Sequence, residues 1–200
     1  MQLLEYQIIL GIIATFIGLV GYVPYFKDLI KKEIKPHAFS WLIWGILQSV
    51  VFFASTSKGG GAGAWAIGAP ALLNMIIFVI ALFRGEKEIT NLDKASLIVA
   101  LFGIALWAIT TSPVWSVIIV TCVDVVGFIP TFRKAYKKPK EEAITVFALS
   151  SVAFGISLFA LGSINITTFL YPASLTISNA VFVIMVMSRR NKTKSKARRK

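Results

Sequence analysis

The sequence predicts an all-α membrane protein with seven transmembrane helices in a 3+1+3 arrangement, and three observations predict it. First, 56% of the 200 residues are hydrophobic and 15% charged, with a mean hydropathy of +0.77. A water-soluble domain averages about 45–50% and about 25%. Second, the charges cluster between seven apolar runs, each close to the ~20 residues a helix needs to cross ~30 Å of hydrocarbon. Third, the chain repeats itself at an offset of 106 residues. A lone cysteine, Cys122, excludes an intramolecular disulfide, and a lone histidine, His37, excludes a histidine cluster, so no metal or cofactor is predicted.

The apolar runs cover 6–26, 39–56, 64–83, 95–111, 114–132, 143–161 and 166–187. The first follows MQLLEYQ, which has no Lys or Arg, so it reads as a retained helix and no cleaved signal peptide. Lys27, Lys31, Lys32 and Lys35 follow it. Arg84, Lys87 and Lys94 follow the third run, and Arg133, Lys134, Lys137, Lys138 and Lys140 the fifth. With the tail from Arg189 to Lys200, 20 of the 21 basic residues share one side, and Lys58 alone takes the other. Basic loops stay cytoplasmic, which predicts a multi-pass protein of the cell membrane with its amino terminus outside and its carboxyl terminus inside. Trp65, Trp107 and Trp115 fall at the outer ends of their runs, where an indole keeps its N–H wet. The basic tail reads as a partner of anionic lipid headgroups rather than of nucleic acid. His37 reads as a solvated or interfacial loop side chain. The glycine-rich run 59–63 reads as a flexible outer loop, since no lysine or strand accompanies it to make a nucleotide motif.

The repeat aligns TFIGLVGYVPYFKDLIKK, from Thr15 to Lys32, with TCVDVVGFIPTFRKAYKK, from Thr121 to Lys138, with seven of 18 positions identical. Lys35–Pro36 recurs as Lys138–Pro139, and Phe53–Ala54 as Phe159–Ala160. The third helix of each half holds a proline and then an asparagine, Pro70 with Asn74 and Pro172 with Asn179. The divisions are a first triple-helix repeat (1–85), a linker helix (86–112) whose run 95–111 has no charge or amide, a second repeat (113–188) and the basic tail (189–200). Two parallel repeats imply an axis along the membrane normal and a cavity at their interface. A chain that already holds both halves can function as a monomer, and a homo-oligomer stays open.

With GYVPYF and GFIPTF ending the first helix of each half, the chain resembles the PQ-loop superfamily, which includes the SWEET sugar transporters, the half-sized SemiSWEETs and cystinosin. The PnuC vitamin transporters and the KDEL receptor share that architecture with other functions, so fold alone does not settle activity. The resemblance implies a small-solute transporter. It also implies that Gly21 with Pro24, and Gly127 with Pro130, form hinges for a cytoplasmic gate; the alternative is static packing of residues common in membrane helices.

Asp124 is the sole acidic residue inside an apolar run, near the bilayer centre, and an intramembrane carboxyl is a functional candidate by default. Thr121, Asp124, Phe128 and Thr131 share a face that reads as inward. The string DVVG at 124–127 is similar to the opening of the second PQ-loop in cystinosin, which implies proton coupling; the alternative is a protonated structural acid. Asn74 and Asn179 reach matching depths and either grip a ligand between the halves or bond helices together. The resemblance assigns them to substrate, as SWEETs use asparagines on these helices. Trp44 and Gln48 stand four residues apart and offer an aromatic face with an amide, whereas Trp41 reads as an interfacial anchor. The matching stretch 146–154 has no tryptophan or amide, and Tyr25 and Thr131 replace the glutamine of the PQ pair, departures that point away from sugar. The sequence therefore reads as an alternating-access transporter of a small polar solute, sugar-, amino-acid- or vitamin-like. The alternative is a non-transporting receptor or assembly factor on the same fold. With no intramembrane histidine, paired carboxylates or activated nucleophile, an enzyme is not expected.

Overall fold

The computed structural model describes residues 2–57 and 61–198, and every regular element among them is helical. Lys58, Gly59 and Gly60 of the predicted outer loop, and Arg199 and Lys200 of the tail, lie outside the described residues. The helices are α1 (Gln2–Ile30), α2 (Ala38–Ser57), α3 (Trp65–Arg84), α4 (Asn91–Ile109), α5 (Pro113–Lys137), α6 (Thr145–Phe159) and α7 (Ile166–Arg198). Each apolar run of the sequence becomes one helix. Several run further than hydropathy marks: α5 carries Arg133, Lys134 and Lys137 on its last turns, and α7 continues through much of the basic tail.

Five stretches are long and apolar enough to cross a membrane: Glu5–Ile30, Gly61–Arg84, Asn91–Ile109, Val114–Lys137 and Ile166–Lys192. Those in α2 and α6, Ala38–Phe53 and Thr145–Phe159, are shorter. At ~1.5 Å per residue α6 reaches only about 22 Å, because Glu142 and Ala143 precede it in a turn and Leu161 has already left the helix. Seven full-length spans were expected; five meet that length. Large apolar side chains point outward along the long helices, among them Phe16, Val23, Ile98, Phe102 and Ile184, while Gln48, Asn74, Asp124 and Asn179 are buried. Apolar outside and amide or carboxyl inside is the arrangement that suits a lipid solvent.

Within the first trio α3 packs on both α1 and α2; within the second, α7 packs on both α5 and α6. Across the trios α1 packs on α6 and α2 on α5, while α4 lies against α5 and touches α2. Exchanging α1 with α5, α2 with α6 and α3 with α7 turns each of these pairings among the six repeat helices into another. The close approaches obey the same exchange. A Cβ on Gly21 would stand 3.2 Å from Leu149 Cβ, and one on Gly127 would stand 2.7 Å from Ile43 Cγ2. Both glycines and both partners are 106 residues apart. These glycines let α1 reach α6 and α5 reach α2.

The connections after α1, α3 and α5 meet at one end of the bundle, where Glu86 N–H donates to Pro36 O and Lys35 N–H to Glu141 O. At the other end Gln7 Nε2 donates to Leu161 O. There Gly61–Ala64 forms a 3-10 turn whose last three residues are buried, so Ala62 and Gly63 of the glycine run are packed and not part of the loose loop expected. Gly61 begins it at φ +59°, where a side chain would be strained.

Candidate functional site

A cavity of about 30 Å³ lies between the two trios. It is flanked by two apolar clusters, one built around Tyr25, Leu29, Phe182 and Val186, the other around Leu47, Ile67, Val120 and Tyr171. Every substrate and coupling candidate read from the sequence lines it: Asn74, Asn179, Trp44, Gln48 and Asp124. Its walls come in counterparts. Tyr22 and Phe128, Trp41 and Phe147, Trp44 and Ser150, and Gln48 and Phe154 stand 106 residues apart, and Asn74 and Asn179 stand 105 apart.

The two halves use these positions differently. In the first, the Tyr22 hydroxyl donates to Asn74 Oδ1 at 2.6 Å, and Asn74 Nδ2 donates to Gln48 Oε1 at 2.9 Å. In the second, phenylalanine replaces both Tyr22 and Gln48, so Asn179 Nδ2 turns to Leu175 O on its own helix at 2.7 Å. Asp124 is buried on α5; its Oδ1 accepts from the Tyr171 hydroxyl at 3.3 Å, and its Oδ2 has no partner among the described residues. Thr121, Phe128 and Thr131 are buried with it, as the inward face required.

Trp41 is no interfacial anchor. It is 2% exposed, sits 5.2 Å from the Trp44 ring and 5.0 Å from the Tyr25 ring, and lines the cavity. The second half is not bare of aromatics either, because Phe147 and Phe154 supply faces in a stretch that has no tryptophan or amide. Of the four hinge candidates, Gly21 and Gly127 adjoin the lining residues Tyr22 and Phe128, and Pro24 and Pro130 follow two residues further toward the basic end. Gly21, Gly127 and Pro130 are buried and Pro24 half-buried, and both helices run unbroken through their prolines.

The basic end holds two buried ionic clusters. In the first, Lys134 Nζ donates to Glu142 Oε2 at 2.8 Å and to Glu141 O, while the Tyr25 hydroxyl reaches Glu142 Oε1 at 3.4 Å. Arg190 Nη2 donates to Glu142 O at 2.6 Å, tying α7 to the same corner. Burial pushes the Glu142 carboxyl up, and Lys134 offsets part of that rise. In the second cluster Asp93, in the first turn of α4, closes a capping box with Thr90. Arg133 clamps the same carboxylate with Nε at 2.8 Å from Oδ1 and Nη2 at 2.7 Å from Oδ2. Asp93 thus lies inside an apolar helix near its end, as Glu5 and Asp28 do in α1, and differs from Asp124, which lies well inside α5.

His37 is fully buried, with Nε2 3.5 Å from Asp93 Oδ2, which corrects its reading as a solvated loop residue. Burial pulls its pKa below 6.5, and Asp93 offsets part of that while Arg133 adds to it. A histidine kept neutral in the folded state contributes stability that is full above its ordinary pKa and lost as pH falls below it. The melting temperature in detergent should therefore drop between about pH 7 and about pH 5, and His37→Gln should flatten that drop. A His37→Gln profile parallel to the parent over this range would remove the role. No family model, characterised protein or solved structure matches the chain.

Proposed function

We propose that the chain is a transporter that moves a small polar solute across the cell membrane by alternating access. The observation that carries the reading is the cavity at the seam of two helix trios, lined by counterpart residues 105 or 106 positions apart. Repeats of this kind place solute at their interface and move it by rocking one bundle against the other. The helix pairings support the 3+1+3 reading, with α4 as linker and all seven helices crossing. The bilayer thins or the helix ends dip to accommodate the shorter α6. The GYVPYF and GFIPTF elements with this pairing pattern support membership in the PQ-loop superfamily. The basic end is then cytoplasmic, which leaves the amino terminus outside.

In the conformation described, the Lys134–Glu142–Tyr25 and Asp93–Arg133–His37 clusters close that end. Gly21 and Gly127 at the cavity's level and Pro24 and Pro130 between it and these clusters lie where a hinge would open that end. Asp124 couples the cycle through its proton. Asn74, Asn179, Trp44 and Gln48 contact the solute.

The test needs no substrate. With exposed Cys122 replaced by alanine, Ser150→Cys places one thiol on the cavity wall, and an impermeant maleimide is applied to each face of oriented vesicles. Labelling from both faces is the expected result. Labelling from one face alone would overturn alternating access in favour of a receptor or assembly factor with a one-sided pocket.

A further inference from the structure

We propose that the solute is a small organic cation that exchanges with a proton on Asp124. The exchange rests on the transport reading above; the binding of the cation does not.

The carboxyl of Asp124 is 1% exposed, and its Oδ2 has no partner among the described residues. No lysine, arginine or histidine is among the cavity's lining residues. The titratable groups that face it are phenols, Tyr171 of α7 bonded to Oδ1 and Tyr22 of α1 across the cavity. From α2 and α6 come Trp44, Gln48, Ser150 and Phe154, none of them ionisable. On the far side of α5, α4 presents Gly103 against Val123, and its charged residues Asp93 and Lys94 sit in its first turn. A carboxyl so placed is balanced either by its own proton or by a cation that arrives.

The walls suit the cation. Four rings of the lining pack on one another as one aromatic wall: Trp41 to Trp44 at 5.2 Å, Trp44 to Phe128 at 4.7 Å, Phe128 to Phe147 at 5.7 Å, Phe147 to Trp41 at 6.2 Å and Trp44 to Phe147 at 6.1 Å between centroids. An aromatic wall that shares a cavity with a carboxylate attracts an ammonium group, and more strongly once water is excluded. Tyr22, Asn74 and Asn179 each commit a donor to a protein acceptor. That suits a ligand that is itself all donor or all charge, and suits a polyol less. The volume of about 30 Å³ admits two or three waters at ~10–15 Å³ each. It fits an ammonium head with little opening and a sugar ring only with a large one.

The exchange balances. The resting site carries Asp124 as the neutral acid. When the cation enters, the O–H bond breaks, the proton leaves to water on that face, and the carboxylate pairs with the ammonium. On the opposite face water returns a proton and the cation departs. One positive charge crosses in each direction.

The experiment measures thermal stabilisation of the purified protein by methylammonium, tetramethylammonium and choline, with 3,3-dimethyl-1-butanol as the neutral isostere of choline. At least one cation is expected to raise the melting temperature, with an apparent affinity that improves up to about tenfold per pH unit while Asp124 binds a proton. The isostere should have no effect, and Asp124→Asn should lose the response. Should Asp124→Asn fail to fold, proton release from the parent protein into weak buffer on adding the cation decides the same point. Equal stabilisation by the isostere, no response to any of the three cations, or a pH-independent response would overturn the proposal. Proteoliposomes separate the two readings. Cation binding without flux leaves the cation site standing and removes transport, whereas flux of neutral solutes alone keeps transport and removes the cation.

Discussion

Lys134→Met is expected to destabilise the protein by about 3–5 kcal/mol, among the largest effects of any single side chain here. Lys134 and Glu142 are each 1% exposed and paired at 2.8 Å. Without the ammonium, the carboxylate keeps one hydrogen bond, from the Tyr25 hydroxyl at 3.4 Å, and the through-space attraction of Arg190, whose own bond goes to the backbone oxygen of Glu142. A buried charge left in that state costs far more than the pair was worth, since desolvation had already consumed most of the pair's Coulombic gain. The double variant Lys134→Met with Glu142→Leu should therefore recover most of the loss. Unfolding midpoints in detergent decide the matter. If the double variant is no better than the single one, packing and not charge holds this corner. Because the pair bridges α5 to the turn before α6, the single variant should also raise labelling of Ser150→Cys from the basic face.

These ionic clusters show where sequence reading reached its limit. A lysine or histidine at a helix end reads as solvated, since such residues are exposed in most proteins. Nothing local to Lys134 announces that Glu142, after an intervening turn, folds back onto it. His37 and Asp93 are 56 residues apart and meet only because the loop before α2 packs against the first turn of α4. Hydropathy also began the fourth run at 95, past Asp93, and so left that carboxylate in a loop.

The interior was more legible, because in lipid a polar side chain must face a neighbouring helix or a cavity. Asp124, Asn74, Asn179 and Gln48 each stood out in an apolar run, and all four reached one cavity. Trp41 did not, because tryptophan near a helix start is commonly interfacial. The offset of 106 matches the stretch 40–48 to 146–154, and so Trp41 to Phe147 and Gln48 to Phe154; what a reading for tryptophan and amide passes over is phenylalanine as an aromatic wall.

The two asparagines, read from the sequence as equivalents, are expected to behave differently when truncated. Asn74→Ala removes the acceptor of the Tyr22 hydroxyl and the donor to Gln48 Oε1. Two buried polar groups are left unpaired at about 1–3 kcal/mol each. The variant should unfold earlier in detergent with or without ligand, and Tyr22→Phe with Asn74→Leu and Gln48→Leu should restore much of the stability by removing all the orphans together. Asn179→Ala removes a side chain whose donor serves only Leu175 O on its own helix, a carbonyl that α7 can satisfy itself. Its unliganded stability should stay within about 1 kcal/mol of the parent, while stabilisation by the methylammonium and choline series weakens. Both asparagines line the cavity, and the first is expected to hold the bundle together as well. Equal losses of unliganded stability in the two variants would mean that both amides are structural, and the solute contacts would then fall to Asp124 and the rings that share its cavity.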